Sequence, residues 1–157
     1  MKEHYFNIYN NLIKLTRNKS LFEKLNIQDS FYERIMIFFI HFAFFLKIYK
    51  KNENKHNLQE LYDFIFNQID LSVREAGHGD ATINKKMKNY VNLFHSIIDK
   101  IEFWESLIID EKSNFFLAYF EHSIETTYFI DYFEKYRIFL INNTLNYFTK
   151  DVISLKF

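Results

Sequence analysis

The sequence predicts an all-α protein, and three observations carry that prediction. No proline occurs in 157 residues, both glycines fall in one short stretch, and apolar residues recur at spacings of three and four rather than two. A chain so poor in helix breakers reads as consecutive amphipathic helices, about six of them, followed by a short extended tail. Its length fits a single domain over residues 1–157, in which roughly two thirds of the unfolded surface is buried on folding.

The first helix is expected over about residues 4–17, with Tyr5, Ile8, Leu12 and Leu15 on one side, and a short helical turn over 21–25 follows. Ser30 and Glu33 have the spacing of a capping box, in which hydroxyl and carboxylate each satisfy an orphan amide, so the second helix opens there and runs to about residue 51. Within it, residues 35–46 are apolar apart from His41 and lie between Arg34 and Lys47. That run is well short of the roughly 20 residues that span a bilayer, and it reads as a buried helix. Residues 51–57 form a polar connector.

The third helix is expected to start at Asn57 as cap, to place Leu58, Tyr62, Ile65, Ile69 and Val73 on one stripe, and to stop at Ala76-Gly77-His78-Gly79-Asp80. A glycine just past a helix end supplies the left-handed residue that closes it, so the chain reverses sharply here. A fourth helix over about 84–103 buries Met87, Val91, Phe94, Ile98 and Ile101. A fifth over about 113–124 and a sixth over about 127–148 complete the bundle, and residues 151–157 alternate like an extended tail.

Composition narrows the function classes. Without cysteine there is no disulfide framework, thiolate metal site or cysteine nucleophile, and a reducing compartment is allowed. Twenty basic against twenty acidic residues argue against a dedicated nucleic-acid binder, and 48% hydrophobic residues argue against disorder. The start of the chain shows neither a signal-peptide core nor an Arg-rich transit peptide, which leads to the expectation of a cytoplasmic protein. Thirty-two residues are aromatic, more ring than a small core hides. An AT-rich coding bias and an exposed patch for a partner both account for the excess.

Two polar stripes interrupt the apolar pattern. Arg34 and His41 lie within about 20° of one line on the second helix, and Asp63, Asp70 and Arg74 do so on the third. If the connector makes these helices antiparallel, His41 falls level with about Gln68 and Arg34 with Glu75, so the stripes can meet. Two readings follow: a partly buried ion-pair network that fixes register, with Asp70 and Arg74 as a favourable i,i+4 pair, or a functional groove. Lys85, Lys86 and Lys88 lie at the expected start of the fourth helix, the unfavourable end of its dipole, where they are a solvated face or contacts to an acidic partner.

Enzyme signatures are sparse. There is no Gly-rich phosphate loop, no nucleophile elbow and no His-Glu-x-x-His. A carboxylate-bridged metal pair needs two Glu-x-x-His motifs facing inward from helix interiors. Glu53/His56 lies in the connector and Glu75/His78 runs into the glycine break, so neither presents both ligands along one helical face. The alternatives to a binding role are therefore a helical metal-dependent enzyme and a generic membrane-peripheral scaffold.

The stretch from Leu61-Tyr62-Asp63 through Asp70 and Arg74-Glu75-Ala76-Gly77-His78-Gly79-Asp80 to Ile83-Asn84-Lys85-Lys86-Met87-Lys88 resembles the signature of the ubiquinol-cytochrome c chaperone family. That signature reads Leu-Phe/Tyr-Asp, then Asp, then Arg-Glu-Met-Gly-Val-Gly-Asp, then Val-Pro-Lys-Lys-Met-Lys. Asp29, Arg34 and His41 match further family positions, residues 9–22 resemble its first helix, and 132–157 its last helix and strand-like tail. Ala76, His78 and Asn84 depart from the pattern, and Phe94-His95-Ser96-Ile97 stands where the family has Phe-Tyr-Gly-Arg.

The resemblance implies an assembly factor that is not an enzyme and carries no cofactor. Members bind newly made cytochrome b and hand it to the growing ubiquinol-cytochrome c reductase (bc1) complex. Mitochondrial members work with a small partner chaperone near the ribosomal exit. Without a transit peptide, the likeness is to an alphaproteobacterial-type member at the cytoplasmic face of the inner membrane, peripheral through its client. The expected client-binding residues are Arg34, His41, Asp63, Asp70, Arg74, Glu75, Gly77, Gly79, Asp80, Lys85, Lys86 and Lys88, with the two glycines shaping the loop.

Overall fold

In the computed structural model, residues 2–25, 30–120 and 124–157 are described, and they form eight α-helices with no strand among them. The helices are α1 (Lys2–Thr16), α2 (Lys19–Leu25), α3 (Phe31–Tyr49), α4 (Lys55–Glu75), α5 (Asp80–Ile101), α6 (Ile109–Tyr119), α7 (Thr126–Asn142) and α8 (Leu145–Phe148), with a 3-10 turn at Trp104–Ser106. The all-α expectation holds, and the motif residue Asp29 lies outside the described residues.

The most apolar segment of the chain becomes the centre. In α3 every residue from Ile35 to Phe45 is buried, which requires neighbours all round, and α5, α1 and α7 supply them. Phe39 and Phe42 pack on Phe94 of α5 at 5.1 Å between ring centroids, Phe38 packs on Tyr9 of α1, and Phe44 stacks on Phe133 of α7. The α4 helix packs on α1 and α5, α6 pairs with α7, and α8 closes on α1, where the buried Asn11 amide donates to the carbonyls of Phe148 and Lys150.

Several boundaries differ from expectation, each for a local reason. The α4 helix opens at Asn54, whose side chain accepts from the His56 amide, one turn ahead of Asn57. The α5 helix likewise starts at Asp80, because an acidic residue in the first turn is favourable there and no proline fixes a later start. The α6 helix begins at Ile109, where the Glu111 carboxylate accepts from the Ile108 amide at 3.2 Å, and it ends at Tyr119; part of the expected 113–124 segment lies outside the described residues. What was expected as one last helix over 127–148 is α7 and α8, broken at Asn143. The Tyr49 hydroxyl sits at this break, close to the carbonyls of both Leu140 and Asn143, and satisfies chain ends that a continuous helix would have used internally. Residues 151–157 bend at 151 and 152 and take no regular secondary structure after that, and Phe157 packs on Tyr132, Tyr136 and Phe139.

Candidate client-binding corner

The corner joining α4 to α5 is built by one residue in the left-handed region. Gly77 has φ +88°, and its amide donates to the Arg74 carbonyl at 3.0 Å, closing α4. Gly79 has φ −72°, extended backbone that any residue adopts, and it caps α5 by position, with the Ile83 amide donating to its carbonyl. The expectation that both glycines shape the loop is thus corrected: Gly77 does, and Gly79 is conformationally ordinary. A Cβ at Gly79 would meet nothing within 4 Å.

Arg74 pins the corner. Its Nε donates to Asp70 Oδ1 at 2.6 Å and its Nη1 to Asp80 Oδ1 at 3.0 Å, so one guanidinium bridges the last turn of α4 and the first turn of α5. Every residue from 74 to 82 is exposed. The corner therefore lies outside the core, and Glu75 and His78 face outward beside the pinned guanidinium. Lys85 and Lys88 are exposed and Lys86 is half-buried. Since α5 starts at Asp80, these lysines occupy its second and third turns, beyond the reach of the positive dipole end; the expected dipole cost does not apply.

Arg34, in the first turn of α3, comes to this end of the molecule through packing on α1 rather than through a pairing of α3 with α4. Arg34 is exposed, lies near the Ser30 carbonyl, and shares a cleft with Ile69 and Ser72 of α4 and with Arg17 of α1. Tyr9 projects from α1 toward the same place. Burial raises its hydroxyl pKa. Arg34, Asp70, Arg74, Glu75 and Asp80 thus gather at one end of the bundle.

Two expected residues do not join them. Asp63 is exposed and accepts from Gln59 Nε2 at 3.0 Å, about 16 Å along the helix axis from Arg74. His41 is a correction: it is fully buried and faces α7, not α4. Ile37 O can only accept, so Nδ1 carries the proton and donates at 2.8 Å, and Nε2 accepts from the Tyr132 hydroxyl at 2.7 Å. The Tyr136 hydroxyl donates to the His41 carbonyl at 2.9 Å. Burial lowers the His41 pKa to about 3, so it is a neutral core histidine and no part of the surface.

A second polar cluster, with little local signal in the sequence, lies at the other end of the molecule. The buried Trp104 indole donates to Glu134 Oε1 at 2.6 Å, with Lys112 and Arg137 on the same carboxylate. Burial pushes the Glu134 pKa up, but these three donors outweigh it and hold it below the usual range. Lys47 pairs with Glu105 nearby. The i,i+3 spacing of Glu134 and Arg137 is the one trace of this cluster in the sequence.

Of the two Glu-x-x-His spellings, His56 pairs with Glu60 instead of Glu53, and His78 lies in the exposed corner. Among the described residues no three His, Cys, Asp or Glu side chains gather as a metal site would require. No described helix is long and apolar enough to cross a membrane.

The fold and the corner together define a small helical bundle that presents an exposed, pinned helix corner. The sequence model of the family described as Ubiquinol-cytochrome C chaperone matches residues 23–102, just over half of the chain. The chain belongs to that family. The matched segment holds α3, α4, the corner and α5, which are the elements that assemble the charged end. No curated protein and no solved structure matches the chain.

Proposed function

We propose that this chaperone binds newly synthesised cytochrome b and promotes biogenesis of the bc1 complex, with the end of the molecule around the α4–α5 corner as its client-facing surface. The observation that carries this reading is the exposure of residues 74–82 inside the family-matched segment, with Arg74 held by Asp70 and Asp80 while Glu75, Lys85 and Lys88 point outward. A holder of a membrane protein must meet apolar helices and their polar ends together. This end offers both, since Phe31, Tyr32 and Leu71 are exposed beside the charges.

In this reading Arg74 and Asp80 hold the corner in shape, Glu75 and the lysines give direction to polar contacts, and Gly79 lets client backbone approach closely. The protein works at the cytoplasmic face of the inner membrane, or in the matrix in a eukaryote, peripheral through its client and without catalysis. Contact with a small partner chaperone or with the ribosome belongs to the same reading. Deleting the gene tests it: reduced-minus-oxidised spectra lose the cytochrome bc1 bands while other respiratory complexes stay normal. Unchanged bc1 spectra contradict it.

A further inference from the structure

Residues 151–157 pack on α7 and α8 with every second side chain turned inward. Ile153 and Leu155 are half-buried against the core, and Phe157 packs on Tyr132, Tyr136 and Phe139, while Val152, Ser154 and Lys156 are exposed. Little fixes this tail in place. Among the described residues its hydrogen bonds are two, and both meet one hydroxyl: Tyr147 accepts from the Ser154 amide at 2.9 Å and donates to the Ser154 carbonyl at 2.8 Å. The firm anchoring stops just ahead of it, where the buried Asn11 amide holds the carbonyls of Phe148 and Lys150. Phe157 is itself 39% exposed and borders two clefts of about 330 Å³ each, one lined by Tyr128, Tyr132 and Leu155, the other by Ile138 and Phe139. A segment with so few hydrogen bonds and so much exposed surface opens before the helices beneath it, and its opening uncovers a row of rings on α7.

We infer that the tail is a displaceable strap on a peptide-binding groove, and that a segment of another polypeptide with the same Ile-x-Leu-x-Phe alternation takes its place on α7. The tail itself names that chemistry, since the groove already seats Ile153, Leu155 and Phe157 in this order. Tethered beside its groove, the tail competes at an effective concentration on the order of millimolar, so it keeps out weak ligands and yields to tighter ones. None of these residues belongs to the α4–α5 corner, so the groove is a second site and does not depend on the client proposed there.

The test uses the full chain and a fluorescein-labelled peptide, Asp-Val-Ile-Ser-Leu-Lys-Phe, read by anisotropy against wild type and a Tyr147→Phe/Phe157→Ser double variant. With its strap untied, the double variant still melts cooperatively and binds the peptide about tenfold or more tighter than wild type does. Changing the peptide's Ile, Leu and Phe to Ser abolishes the binding. Equal affinity of the two proteins, no binding by either, or equal binding of the two peptides overturns the inference. So does a double variant without cooperative melting, because the tail is then part of the core and no strap. A wild type that is dimeric by light scattering, with the double variant monomeric, overturns it as well, because the groove then serves a second copy of this chain.

Discussion

Gly77 and Gly79 are two residues apart and serve different ends. At φ +88° an alanine Cβ is strained wherever its neighbours are, so Gly77→Ala lowers unfolding free energy by about 1 kcal/mol. Gly79 sits in extended backbone at a helix N-cap with open space around it, so Gly79→Ser adds a side-chain cap and raises stability by about a few tenths of a kcal/mol. Urea titration of both variants checks this. A stabilised Gly79→Ser variant that captures less client would place the demand for glycine in the client and not in the fold. His41 gives a pH prediction. Its folded pKa of about 3 lies below its unfolded value of about 6.5, so the unfolded chain binds the extra proton between those values. Stability is full above pH 6.5 and falls below it, by up to about 1.4 kcal/mol per pH unit. A urea midpoint that drops from pH 6.5 to 5 in the wild type, and drops less in His41→Gln, is the expected result.

Elements were legible where their signals were local. The ends of α3 and α4 were written in Ser30 and Gly77, and the central burial of α3 in its unbroken apolar run. What was not legible was which neighbour each face would meet. Arg34 and His41 share one line of α3, yet α3 is surrounded, and residues on one line meet different helices along its length. Thus Arg34 reaches the end of α4 while His41 meets Tyr132 of α7. The Trp104 cluster was hidden for the same reason, since it joins side chains 30 residues apart through a packing that no periodicity encodes. Glu134→Ala leaves the buried indole N–H without its acceptor and costs about 1–3 kcal/mol. Trp104 is the sole tryptophan, so its fluorescence reports the change directly. At the corner the opposite holds: the Asp70 and Asp80 pairs to Arg74 are solvent-exposed, and Asp70→Ala leaves the melting temperature nearly unchanged. A large loss of melting temperature would return these residues to the register-fixing network that the sequence also allowed.

At the scale of the whole molecule, the aromatic excess divides into a core and a remainder. Rings of α3, α5, α6 and α7 fill the interior, and Phe6, Phe31, Tyr32 and Phe103 stay exposed. The charged corner and the exposed Phe31, Tyr32 and Leu71 share one end, while Phe103, Ile108 and Ile109 project from the turn between α5 and α6. The central claim is that the first of these ends grips a client. Capture from cells making labelled cytochrome b, with tagged wild type beside tagged Arg74→Ala, tests it most directly. The account predicts that cytochrome b comes down with the wild type and is lost with Arg74→Ala, although both proteins melt alike. Equal recovery with the two proteins, or none with either, contradicts it.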